Sequence, residues 1–238
     1  MIEWKAILLI YRRIDVRYRV GSWRRKRFVH TLSDQEVSDA VASFQEFPGL
    51  IEELTSQRAT VCAEIIHVDR PLSCLTPLST HMYWPGPSDI RKEIEHHAAA
   101  NRLDSIFVLW PQNSFADKTF IPSPGWGLGM GASDSTFGAT YATVANAPTQ
   151  TWQVPRVGEV WLHEWLHGVC AHFEAQGHIM PDGNADGGDR HGYVQSPITG
   201  WMDYYRDLMN GLVAEDGRLT GIKPEAWGQH PQSGAKMA

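Results

Sequence analysis

Cysteine is scarce in this sequence. Cys62, Cys74 and Cys170 are odd in number and form no C-x-x-C pair, which argues against a disulfide framework and a cysteine-ligated zinc site; a Cys62–Cys74 bridge stays open. Long apolar runs are missing as well. No stretch of about 18 residues is apolar throughout, so no membrane-spanning helix is expected. The short apolar run over 6–11 gives way at once to Arg12, Arg13, Asp15 and Arg17, the wrong flank for a signal peptide. The expectation is a cytoplasmic chain unless an export signal lies outside this sequence. Positive charge is in deficit, with a net charge of −6, which gives no reason to expect a nucleic-acid partner. The one basic cluster, Arg24, Arg25, Lys26 and Arg27, has no second basic run or aromatic platform beside it and reads as a solvated turn. The glycine repeat over 125–131 lacks the Lys-Ser/Thr of a phosphate loop and opens no helix, so it reads as a glycine-rich strand or flap and not as a nucleotide site.

What the sequence does contain is His163-Glu164-Trp165-Leu166-His167. Four residues make slightly more than one helical turn, so His163 and His167 project from one face and can hold a single ion. In an H-E-x-x-H arrangement the histidines bind zinc and the glutamate, close to the metal but not bound to it, takes a proton from the water that the metal activates. The surrounding apolar residues Val157, Val160, Trp161, Leu162, Trp165, Leu166, Val169 and Phe173 recur at helical spacing, with Gly177 as a stop. A helix wrapped so heavily in apolar side chains is buried, and two histidines and a glutamate inside a core are costly without a metal to occupy them.

With 238 residues, 42% of them hydrophobic, the chain can build a substantial core as one large domain or a domain with a lobe. It opens with a buried strand over 4–16, followed by a basic turn from Gly21 to Arg27. Ser33 and Glu36 have the form of a capping box and start a helix to about Leu54 that Pro48-Gly49 should kink or split. Residues 60–68 read as a strand and 71–87 as a loop. A helix from Ser88 ends near Asn101, with His96 and His97 on its surface, and 103–110 is a central strand. Strand character returns over 135–145, joined by a linker over 146–155 to the His163/His167 helix. This alternation predicts an α+β fold in which helices pack on a mixed sheet. Residues 1–155 form an N-terminal sheet-and-helix subdomain with an edge strand, 156–213 the active-site helix and a smaller C-terminal subdomain, and 214–238 a peripheral tail.

The motif helix, preceded by a mixed sheet with an edge strand, resembles the zincin metallopeptidases, and the order of elements looks like the N-terminal half of the metzincin branch. The resemblance implies a cleft floored by zinc, His163 and His167 as ligands, and Glu164 as general base. The extended metzincin motif would need glycine at Cys170 and histidine at Phe173, so the third ligand has to come from chain that returns after Gly177. His191 is the first choice. Asp182, Asp186 and Asp189 are alternatives in the same loop, and Asp203 or Asp207 would give a gluzincin-like or aspzincin-like arrangement. Asp182-x-Asn184-x-Asp186-Gly187 also matches the opening half of a calcium loop, with Tyr193 in place of the closing glutamate; the alternative is a solvated turn that needs no ion. Tyr193 is a candidate to donate a hydrogen bond to the oxyanion. Met202 is either a residue beneath the metal or, more simply, a core methionine.

The expected function is therefore a zinc-dependent metallopeptidase, with Zn²⁺ and optionally Ca²⁺ as cofactors and a peptide or protein as substrate. A non-peptidase zinc hydrolase such as an amidase, and a zinc-containing binding domain without turnover, are the competing expectations.

Overall fold

The computed structural model describes residues 1–20, 24–98, 102–135, 137–153 and 155–233. Its strands and helices run in the order β1 (Ile2–Tyr11), β2 (Arg13–Val20), β3 (Arg24–Thr31), α1 (Asp34–Leu54), β4 (Ala59–Val68), β5 (Thr76–Pro77), β6 (Tyr83–Trp84), α2 (Arg91–Ala98) and β7 (Ser105–Trp110). Then follow β8 (Asn113–Ser114), β9 (Thr119–Phe120), β10 (Gly127–Met130), β11 (Thr140–Ala145), α3 (Thr149–Gln153), α4 (Glu159–Ala175), α5 (Met202–Leu208), β12 (Val213–Glu215) and β13 (Arg218–Thr220). Gly21 and Asn101, read from the sequence as part of a turn and as a helix end, lie outside the described residues.

The fold is α+β around a five-stranded mixed sheet of order β10-β11-β7-β1-β4. β1 pairs in parallel with β4 and β7, and β7 with β11, while β10 runs antiparallel to β11. Parallel strands covered on both faces read as continuous apolar runs, and β7 is buried at every position. One face of the sheet packs Trp4, Leu8 and Phe107 against α1, α4 and the C-terminal segment. The opposite face packs Ile7, Leu9 and Val108 against the β2–β3 hairpin and the chain over 72–94.

The single strand expected over 4–16 is two strands broken at Arg12. Two-sided burial ends at Tyr11, and from Arg13 the pattern alternates exposed and buried, as suits a hairpin with one face on the core. That hairpin also absorbs the supposed basic turn, because Arg24, Arg25, Lys26 and Arg27 lie on β3 in register with β2. The capping box forms, with Ser33 Oγ accepting from Glu36 N at 3.2 Å and Glu36 Oε2 accepting from Ser33 N at 2.9 Å. Pro48 does not split α1. Proline inside a helix costs about 3 kcal/mol, and here Phe44, Phe47, Leu50, Ile51 and Leu54 are buried on both sides of it, which offsets that cost.

The segment from 214 onward is not peripheral over its described part. Ile222, Ala226 and Trp227 are buried, Trp227 stacks on Trp165 with centroids 6.0 Å apart, and His230 Nδ1 meets the buried Asp104 carboxylate at 2.7 Å. Three apolar side chains spread through polar sequence are enough to close this layer. Among the described residues no helix is long and apolar enough to cross a membrane.

Candidate metal centre

α4 runs across the sheet with its N-terminus against α1. Gly158, at φ 88°, sets the turn before the helix, where a Cβ would stand 3.1 Å from Phe47 N and from Leu50. Trp161, Leu162, Trp165, Leu166, Val169 and Phe173 are buried in the core. The remaining face carries Glu159, His163 and His167 at intervals of four, so all three line one cleft of about 760 Å³. Its walls include Trp126, Leu128, Gln195, Trp201 and Tyr205.

The two imidazoles converge, with Nε2 of His163 and Nε2 of His167 3.3 Å apart. Asp186 completes the group. Its Oδ1 stands 3.4 Å from His163 Nε2 and its Oδ2 3.6 Å from His167 Nε2. Three donors on a tetrahedral ion with bonds of about 2.0–2.1 Å are separated by about 3.3–3.4 Å, whereas octahedral neighbours at the same bond length lie nearer 2.9 Å. The separation of the two imidazole nitrogens matches the tetrahedral value, and Asp186 turns one carboxylate oxygen toward each of them. Among the described residues, His163, His167 and Asp186 form the one group of His, Cys, Asp and Glu side chains with this convergence.

Each imidazole is held through its other nitrogen. His163 Nδ1 lies 2.8 Å from the Tyr205 hydroxyl, and His167 Nδ1 2.7 Å from Asn184 Oδ1. An amide oxygen can only accept, so Nδ1 of His167 carries the proton and Nε2 presents a lone pair to the cleft. Asn184 and Asp186 share one 3₁₀ turn, Asn184–Asp186, fixed from behind by the Tyr204 hydroxyl, which donates to the Asn184 carbonyl. One short turn therefore supplies both the third candidate ligand and the group that orients the second.

Charge reinforces this geometry. Burial works against protonation of His163, but its hydrogen bond to Asp186 and the carboxylates of Glu164, Asp186 and Glu159 prevail and raise its pKa. Burial and the neighbouring His163 lower that of His167. The hydrogen bond from His163 leads the causes that hold Asp186 below the usual carboxylate range. Burial pushes Glu164 up to about 7, with Asp186 adding to the rise and His163 opposing it.

Glu164 is 5% exposed, lines the cleft, and among the described residues no group hydrogen-bonds its carboxylate. The glycine repeat explains how the sheet edge comes so close to it. A Cβ on Gly127 would stand 2.6 Å from the Glu164 carboxyl carbon, and one on Gly129 2.5 Å from Glu164 O and 2.6 Å from His167 Cβ. Leu128 and Met130, on the alternate positions, pack against the opposite core. Alternating glycines thus let β10, an edge strand, lie directly on the helix. Gly129→Ala is expected to destabilise the fold by about 1–3 kcal/mol through overpacking against backbone, which is a fall of roughly 2–4 °C in Tm per kcal/mol for a chain of this size. A thermal melt superimposable on the wild type would show that the strand does not sit this close.

Other residues considered from the sequence lie elsewhere. The His191 imidazole is not in the group: its Nε2 is 3.0 Å from the Asp182 carbonyl and 3.8 Å from Glu215 Oε1, and its ring stacks on Tyr204. Tyr193 donates to Asp207 Oδ2 at 2.6 Å, which removes both from the cleft. Asp203 pairs with Arg206, and Asp189 is exposed on the turn Asp189–His191. The calcium set does not converge, since Asp182 pairs with Arg190, Asn184 with His167, and Asp186 turns to the histidines. Met202 is buried in the main core, and the three cysteines are free. Sequence reading missed Tyr205 and Asn184 as supports and Glu159 as a cleft residue. Only Glu159 left a signal, four residues before His163.

Glu159 Oε1 accepts from Trp201 N at 2.8 Å. Gly200, at φ 62°, lies against the same carboxylate, where a Cβ would be 2.1 Å from Oε2. This contact ties the loop over 196–201 to the first turn of α4 at the cleft wall. No family model matches the chain, and comparisons with curated proteins and with solved structures give no match.

Proposed function

We propose that this chain is a zinc-dependent peptidase that hydrolyses extended peptides in the cleft over α4. The observation that carries this reading is the convergence of His163 Nε2 and His167 Nε2, 3.3 Å apart, on Asp186, whose Oδ1 stands 3.4 Å from the first and Oδ2 3.6 Å from the second, beside the Glu164 carboxylate, to which no group hydrogen-bonds among the described residues. Two imidazoles and one carboxylate suit zinc with a fourth position left for water. Zinc held there supplies Lewis acidity, lowering the pKa of water toward neutrality and polarising the scissile carbonyl. Glu164, buried beside the two histidines and lining the cleft, accepts the proton as water attacks and returns it to the leaving amine.

The substrate's orientation comes from β10. Among the described residues its outer edge has no strand partner and Gly125, Gly127 and Gly129 line the cleft, so an extended peptide can add there through main-chain hydrogen bonds. Trp126 and Trp201 offer apolar surface for its side chains. The test is digestion of unfolded casein and a peptide library by zinc-loaded protein. Cleavage that a chelator stops and zinc restores is the expected result. Failure to cut any peptide at full zinc occupancy, or hydrolysis confined to small amides, overturns the proposal.

A further inference from the structure

The β2–β3 hairpin lies on the face of the sheet opposite α4, and the peptidase reading makes no use of it. From Arg12 to Arg27 the chain holds eight Lys and Arg against the single Asp15, while the remainder holds thirteen against twenty-six Asp and Glu. The ribbon is thus strongly positive while the rest of the chain is strongly negative.

The register makes this arrangement expensive. Arg17 stands opposite Arg27 and Arg19 opposite Arg25, and like charges directly opposite across a strand pair destabilise it. Asp15 relieves the first pair through its bridge to Arg27. Among the described residues, Arg19, Arg24, Arg25 and Lys26 form no ion pair with an acidic side chain. Exposure shows that the end of the ribbon leaves the body: Arg19, Val20 and all of Arg24, Arg25, Lys26 and Arg27 are exposed on both faces.

A second, smaller hairpin stands beside it. The Tyr83 hydroxyl accepts from Arg19 N at 3.0 Å and donates to Arg19 O at 3.1 Å, which fixes β5–β6 against β2. Arg17, Arg19, Arg25, Ser79 and Thr80 line a hollow of about 540 Å³ between the two. Exposed aliphatic side chains flank these cations, with Val20 45%, Leu78 42% and Met82 43% exposed.

We infer that the paired hairpins form a docking surface for an anionic phospholipid membrane. Cations in this number are attracted to an anionic leaflet, and aliphatic side chains among them gain by entering the interface. A nucleic-acid surface would reward stacking aromatics, but among the described residues of the two hairpins the aromatic rings, Tyr18, Phe28, Tyr83 and Trp84, are buried in the core. The strongly acidic remainder favours a flat partner touched by the hairpins alone over one that wraps the body.

Vesicle sedimentation with the full chain tests this. Phosphatidylcholine vesicles containing about one-third phosphatidylserine should bind the protein, neutral vesicles should not, and salt should weaken binding. The Arg19→Glu/Arg25→Glu variant should lose at least roughly fivefold in affinity for each cation removed. Val20→Ser/Leu78→Ser/Met82→Ser should weaken the salt-resistant part. All five positions are exposed, so the melt should be unchanged. The inference is overturned by absence of binding, by equal binding to neutral vesicles, by binding that charge reversal leaves intact, or by a short DNA duplex that binds more tightly than the vesicles through the same arginines.

Discussion

Glu164→Gln is expected to hold zinc at wild-type stoichiometry and to lose about two to four orders of magnitude of peptide turnover, the usual worth of a positioned general base. The substitution keeps shape and removes only the ability to take a proton. No hydrogen bond is forfeited, because among the described residues none reaches the Glu164 carboxylate. The same change has an effect on stability with a definite sign. Burial raises the pKa of Glu164 to about 7 in the metal-free protein, above an unfolded value of about 4.3. Its ionisation therefore destabilises the native state progressively as pH rises above the unfolded value, and the penalty is complete above about 7. Metal-free Glu164→Gln should melt higher than wild type at pH 8 and converge with it near pH 4. Retained turnover at full zinc occupancy would remove Glu164 from the chemistry, and a lower melt at pH 8 would contradict its burial.

Asp186→Ala is expected to weaken zinc binding by more than the roughly 10–100-fold typical of losing an outer-shell partner, and His191→Ala to leave it nearly unchanged. The contrast follows from position. An Asp186 oxygen lies 3.4 Å from His163 Nε2, within the spacing of ligands that share an ion, while the His191 ring is engaged by the Asp182 carbonyl and Tyr204. Isothermal titration of both variants decides it. Loss of zinc from His191→Ala with retention by Asp186→Ala would restore the histidine as ligand.

The parts of the site legible in the sequence are those fixed by one helical turn. His163, Glu164 and His167 lie within five residues, so their relation depends only on α4 being a helix, and its apolar periodicity declares that. The Ser33/Glu36 capping box was legible for the same reason. The identity of the third group was not, because Asp182, Asp186, Asp189 and His191 occupy one glycine-rich return whose φ angles decide which side chain faces the helix. Gly183 takes φ 82° and Gly187 packs a bare Cα against the Tyr204 hydroxyl, and neither is apparent from spacing. Tyr205 is placed by the packing of α5 on α4, which no local pattern reports. The alternating glycines of β10 gave a visible repeat whose purpose, close approach to α4, depends on a partner helix far along the chain, at Glu164 and His167. The break at Arg12 was present in the change from a continuous apolar run to alternating polar and apolar residues, and Trp227 was hidden as a lone aromatic in polar surroundings.

X-ray absorption at the zinc edge of the zinc-loaded protein addresses the coordination most directly. The expected first shell is nitrogen and oxygen at about 2.0–2.1 Å, with scattering from two imidazoles and no sulfur. Scattering from three imidazoles, a sulfur neighbour near 2.3 Å, or a protein that takes up no zinc at neutral pH would contradict a centre built from His163, His167 and Asp186.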